Sequence, residues 1–269
     1  MAQSRTMAAY SAMVLAASLW GFLGLFSRNL DEAGFTPMEV TYLRFMLCTV
    51  ALLAVMLLID RKSLRIKVRD LWLFIICGVF KILIDLLLFE SQLRIPLALA
   101  TTIQFTSPYF VLLFSIFMFG EKVTLQKLAA IVIAFIGCVL VTGALSGDLD
   151  FDTFGILLAL ISGISYAAFI VVTKLFLDRG YSENTTLFYI FLFGTLLCTP
   201  FTDAIGVFDK FTSFDPVFNI LVLGLLLTLV PYYLNAYALK YGNPVKVSIT
   251  GPLEAVAAAH AAIALYAAT

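Results

Sequence analysis

The sequence predicts an all-α, polytopic membrane helix bundle of two inverted five-helix repeats, with nine spans present and a tenth missing. Three observations predict this: an apolar composition beyond the soluble range, nine runs of spanning length, and self-similarity at a nearly fixed offset. Of 269 residues, 62% are hydrophobic and 13% charged, with mean hydropathy +1.04. Soluble domains carry about 45–50% apolar and about 25% charged residues. The polar residues here are too few to cover a soluble fold, so lipid is the expected solvent. The net charge is zero, from 17 basic and 17 acidic residues, which speaks against a nucleic-acid surface.

Spans are expected at 8–28, 37–59, 71–93, 96–119, 126–145, 154–177, 185–205, 217–240 and 245–266, each near the ~20 apolar residues that cross a bilayer. The first begins without a small-residue cleavage pattern and reads as a retained helix. Polar or Gly-containing segments separate the runs, including 61–70, Gly120-Glu121-Lys122, 146–152 and Gly242-Asn243-Pro244. With a cytoplasmic N-terminus, inside segments hold twelve basic residues and outside segments hold three, Arg28, Arg94 and Lys210. The positive-inside rule therefore places the N-terminus in the cytoplasm of an inner (plasma) membrane protein. Cys48, Cys77, Cys138 and Cys198 stand singly in apolar runs, without ligand or disulfide spacing. No metal or cofactor is expected.

The repeat shows at an offset of 146. Gly34-Phe35-Thr36 matches Gly180-Tyr181-Ser182, Trp20 meets Tyr166, Ser27 meets Thr173, and Tyr42 meets Phe188. Pro96 meets Pro244 at 148. Two five-helix copies result, 1–148 and an incomplete 149–269. An odd number of spans inverts the second copy, the architecture of alternating-access carriers.

Leu19-Trp20-Gly21, Leu43-Arg44-Phe45, Thr106-Ser107-Pro108, Phe119-Gly120-Glu121-Lys122-Val123-Thr124 and Leu253-Glu254 stand in an order that resembles the drug/metabolite transporter superfamily, its EamA-type ten-helix members. The resemblance implies export of amino acids and other small metabolites through a cavity between the halves. Two departures stand out. Ala255 replaces the proline expected after Glu254, and Tyr266-Ala267-Ala268 replaces a Gly-Glu turn and a tenth helix. Nine alanines in the last fifteen residues suggest an incomplete sequence with side chains recorded as alanine.

Charges at membrane depth cost about 2.5–3.5 kcal/mol on insertion scales and face partners or cavities. Lys81 and Asp85 share one face of the third span, with Arg44 at comparable depth. Either cation can pair with Asp85. A self-neutralising structural pair is one reading; the other is a zwitterion site, with Lys81 meeting a carboxylate and Asp85 an ammonium group. Their counterparts at 148, Leu229 and Tyr233, carry no charge, which favours recognition. The expected binding residues are Trp20, Arg44, Lys81, Asp85, Gln104, Tyr166 and Tyr233. Asp85 and Glu254 are candidates for proton coupling, Glu254 equally for a structural acid near Pro252. Pro108 should kink the fourth span. His260 receives no role.

The expected partners are a small-molecule substrate and the lipid bilayer, with a homodimer left open. Passive facilitator, channel and multidrug cation exporter are the alternatives. An intramembrane enzyme is disfavoured because the chain lacks H-E-x-x-H, a histidine cluster and a Cys pair.

Overall fold

Helix is the only regular structure among the described residues, as expected where lipid offers backbone groups no partner. The computed structural model describes residues 2–142 and 152–268, and side chains over 5–24, 26–141 and 152–260. The division at 148/149, most of the 146–152 connection and the side chains of Tyr266-Ala267-Ala268 lie outside these residues.

The first expected span is split into α1 (Ala2–Trp20) and α2 (Leu23–Glu32), and α3 (Pro37–Leu58) and α4 (Leu71–Gln92) follow. The fourth is split into α5 (Leu97–Gln104) and α6 (Ser107–Phe119), ahead of α7 (Leu125–Thr142). In the second half come α8 (Thr153–Asp178) and α9 (Glu183–Cys198). The eighth span is α10 (Phe214–Leu221), a π-helical stretch (Val222–Leu229) and α11 (Val230–Tyr241); the ninth is α12 (Pro244–Ile249) and α13 (Leu253–Ala268). Among the described residues, six uninterrupted or nearly uninterrupted rods have the length and apolarity to cross a bilayer.

The breaks follow local chemistry. Pro108, at the start of α6, cannot donate to Gln104 four residues back, and the helix turns at Phe105-Thr106. The backbone carbonyl of Gln104 then approaches Gly163, leaving 3.0 Å to the position of any Cβ. Pro252 lies in the matching break of the ninth span. Helix starts are capped. Thr36 and Glu39 form a capping box on α3, and Ser182 accepts from Thr185 N on α9. Asn243 accepts from two amides at the start of α12.

The repeat is written in the geometry. Gly34 and Gly180 have φ of 86° and 88°, and the residue after each donates to the carbonyl five back, Phe35 to Leu30 and Tyr181 to Phe176. Both glycines end a helix in the left-handed region, where a Cβ is disfavoured. The hydroxyls of Thr49 and Thr195 lie 3.3 Å apart. Each also donates to the carbonyl of Phe45 or Phe191, whose rings are 5.6 Å apart. All these pairs differ by 146, so a pseudo-two-fold axis passes between α3 and α9. Packing obeys the same exchange: α4 against α8 corresponds to α11 against α1, and α6 against α8 to α13 against α1.

The two ends of the bundle differ. At the end holding the N-terminus, Arg5 sits over Tyr241 and Asp70 pairs with Arg179 while accepting from Tyr181 Oη. Lys240 holds Glu183 at 2.8 Å, and Glu121 bonds both Lys127 and Asn243. At the opposite end, Lys210 joins Glu39 and the Gly34 carbonyl.

Candidate functional site

A cavity of about 630 Å³ enters the bundle from the end opposite the N-terminus, within the 300–1,000 Å³ usual for small-molecule sites. Its lining descends from Arg28, Asp31 and Leu93 near the mouth to Arg44, Asp85, Tyr166, Tyr232 and Glu254. Helical periodicity explains the walls. Pro37, Val40, Thr41 and Arg44 form one stripe of α3, while Asp85, Leu88, Phe89 and Gln92 form one of α4. The ninth span reaches the wall because Gly21 has no Cβ; one built there would lie 2.6 Å from Ala257 Cβ.

Five of the seven expected binding residues, Trp20, Arg44, Asp85, Gln104 and Tyr166, line this cavity. Two do not. Lys81 is fully buried behind Asp85, with Nζ 2.6 Å from Asp85 Oδ2, and lies 4.7 Å from the Phe45 ring centroid and 5.0 Å from that of Tyr232. It therefore exposes no surface to the cavity in this structure. Tyr233 is 40% exposed and off the cavity wall. A step of one residue turns a helix by about 100°, and it is Tyr232 that faces inward, edge-on to Trp20 at 5.2 Å.

Arg44 is the cation deep in the cavity wall, with Arg28 nearer the mouth. Its Nε donates to Thr228 Oγ1 at 2.9 Å, and no carboxylate lies within ion-pair distance among the described residues. The Arg44–Asp85 alternative is thus not formed, and Asp85 pairs with Lys81. Gln104 Nε2 donates to Ser162 Oγ at 2.8 Å, and Ser162 donates on to Ile84 O, a chain that stitches α5 to α8 and α4. Glu254, one residue into α13, lies on the wall, and its carboxylate makes no hydrogen bond among the described residues. No group of His, Cys, Asp and Glu suited to a metal ion occurs among the described residues.

Residues 7–143 and again 153–269 match the EamA-like transporter family. The chain belongs to that family. The double match is the internal repeat seen at the level of sequence families, and with it an enzyme reading is set aside. This EamA-like transporter is 27% identical over 248 residues to an uncharacterized transporter of Archaeoglobus fulgidus, covering 92% of this chain and 84% of that one. It is 25% identical over 193 residues to an uncharacterized transporter of Bacillus subtilis. There the match covers 70% of this chain and spans 60% of the relative's length. A solved structure titled only as a crystal structure of a protein superposes with a TM-score of 0.75 at 20% identity, over 95% of this chain and 86% of that one; this likeness concerns the fold.

Proposed function

We propose that the chain is a secondary transporter that exports small zwitterionic metabolites such as amino acids by alternating access, with its N-terminus in the cytoplasm. The observation carrying this reading is the Arg44 guanidinium, unpaired on a cavity wall that also bears the carboxylates of Asp85 and Glu254. A guanidinium suits a carboxylate through paired charge-assisted bonds, and the acids suit an ammonium group. The fixed cations Arg44 and Lys81 oppose a permanently cationic drug. On the positive-inside orientation the cavity faces outward, one of the two states an alternating carrier visits.

A thermal-shift screen of the purified protein against amino acids tests the reading, since a ligand stabilises the state it binds. Stabilisation should be saturable in wild type and absent in Arg44→Met, and counterflow in proteoliposomes should be lost with it. Equal stabilisation of both proteins would overturn the assignment.

A further inference from the structure

We infer that Thr228 is a specificity-determining positioning residue, which holds Arg44 so that the outer edge of its guanidinium meets a substrate carboxylate. The inference rests on the zwitterion reading above and assigns a role to a residue that does not itself line the cavity.

The geometry fixes the direction of the contact. Thr228 is fully buried, and its hydroxyl proton is committed to Leu223 O at 2.7 Å, five residues back. A hydroxyl has one proton, so towards Arg44 it acts only as an acceptor, taking Nε at 2.9 Å. The guanidinium is planar, so fixing Nε fixes the plane in which both terminal nitrogens lie. Those nitrogens have no protein partner among the described residues, and Arg44 borders the cavity. Thr228 therefore spends its single acceptor contact on the inner edge of the guanidinium and leaves the bidentate edge free.

The backbone is arranged for the same end. A carbonyl five residues back is the spacing of a π-turn, and Thr228 stands within Val222–Leu229, the π-helical stretch. The same stretch lies where the repeat loses register: Gly78 and Gly224 match at 146, Pro96 and Pro244 at 148. Gly224 brings the stretch against α3, where an added Cβ would lie 2.9 Å from Leu47 Cδ1. The repeat also shows that this bond is no part of the shared scaffold. At 146 the counterparts of Arg44 and Thr228 are Ile190 and Ile82, both buried and apolar. The first half's helix α4 packs on α9 without such a bond, so α3 does not need one to hold the π-helical stretch.

The test compares glycine and each of the standard L-amino acids with its amide, which keeps the ammonium group and side chain and loses the carboxylate. Dissociation constants are read by titration on purified wild type, Thr228→Val and Thr228→Ser. Wild type should prefer acid over amide. Thr228→Val should weaken the acid about tenfold, a loss of about one charge-assisted bond, while the amide stays within about twofold. Thr228→Ser should restore the preference. Equal weakening of acid and amide, or no weakening of either, overturns the positioning role and leaves the transport reading standing. A wild type that does not distinguish acid from amide overturns the zwitterion reading and this inference together. Thr228→Ala replaces the valine variant if the latter fails to fold.

Discussion

At the scale of single residues, burial separates two charges that the sequence shows as equals. Lys81 is fully buried and the Asp85 side chain is 21% exposed, so removing one partner strands different charges. Asp85→Leu fills the carboxylate's place with an apolar side chain and strands an ammonium among the Phe45 and Tyr232 rings, and breaking a buried pair costs about 3–5 kcal/mol. Lys81→Met leaves a carboxylate that cavity water reaches, so its cost should fall clearly below that range. Denaturation in detergent should show this order; equal losses would mean that Lys81 also reaches water. The same contrast sets what is legible from sequence. That Lys81 and Asp85 pair follows from four-residue spacing on a helix. Which of the two meets the cavity depends on the tilt of α4 against α3 and α11, and no local pattern records it. Tyr232 and Tyr233 differ in the same way, by one helical step whose phase is set only by packing.

At the scale of elements, caps and glycines were readable because their chemistry is local, whereas interhelical contacts were not. The Gly34 and Gly180 terminators and the break before Pro108 follow from residue type. The close approach at Gly78 requires α4 and α9 to be adjacent, which no stretch of sequence states. An added Cβ at Gly78 would lie 2.9 Å from Phe193 Cβ and 3.2 Å from Gly194 N, while one at Gly224 meets the tip of Leu47 at 2.9 Å and its Cβ only at 3.3 Å. Backbone and Cβ cannot move aside as a leucine tip can. Gly78→Ala should therefore cost about 1–3 kcal/mol as overpacking and Gly224→Ala less, measured by unfolding in detergent; the reverse order would contradict the packing. The turn after α6 yields a pH prediction. Burial raises the Glu121 carboxyl, but hydrogen bonds from Lys127 and Asn243 outweigh it and hold the group below its ordinary 4.5. A depressed carboxyl stabilises the folded state fully above that ordinary value, and the contribution is lost as pH falls through the lower folded one. Acid below about pH 4.5 should loosen this end of the bundle, and Glu121→Gln should remove that part of the pH dependence of melting.

At the scale of the molecule, the cavity is asymmetric although the scaffold is not. Its walls come mainly from α2, α3, α4 and α5 of the first half, with Tyr166, Tyr232 and α13 from the second. In an inverted repeat, exchanging the conformations of the halves would close this cavity and open its counterpart at the N-terminal end. The residues expected there are those displaced by 146. Ser27 and Val40 line the present cavity, and their counterparts are Thr173 and Thr186. Both are buried; among the described residues Thr186 Oγ1 has no hydrogen-bond partner and Thr173 has at most the Cys77 thiol beside it. Orphaned buried hydroxyls are costly, and an alternative state that wets them would relieve that cost. The Glu121–Asn243 bond ties the fourth span to the ninth across the end that would then have to part. In detergent-purified protein with the four native cysteines replaced, where reagent reaches both ends, cysteine placed at Ser27 should thus react readily with a hydrophilic maleimide and cysteine at Thr173 slowly. Adding Asn243→Ala should move the two rates in opposite directions, faster at 173 and slower at 27. A rise at 173 with no fall at 27 would indicate local loosening and refute the exchange of halves.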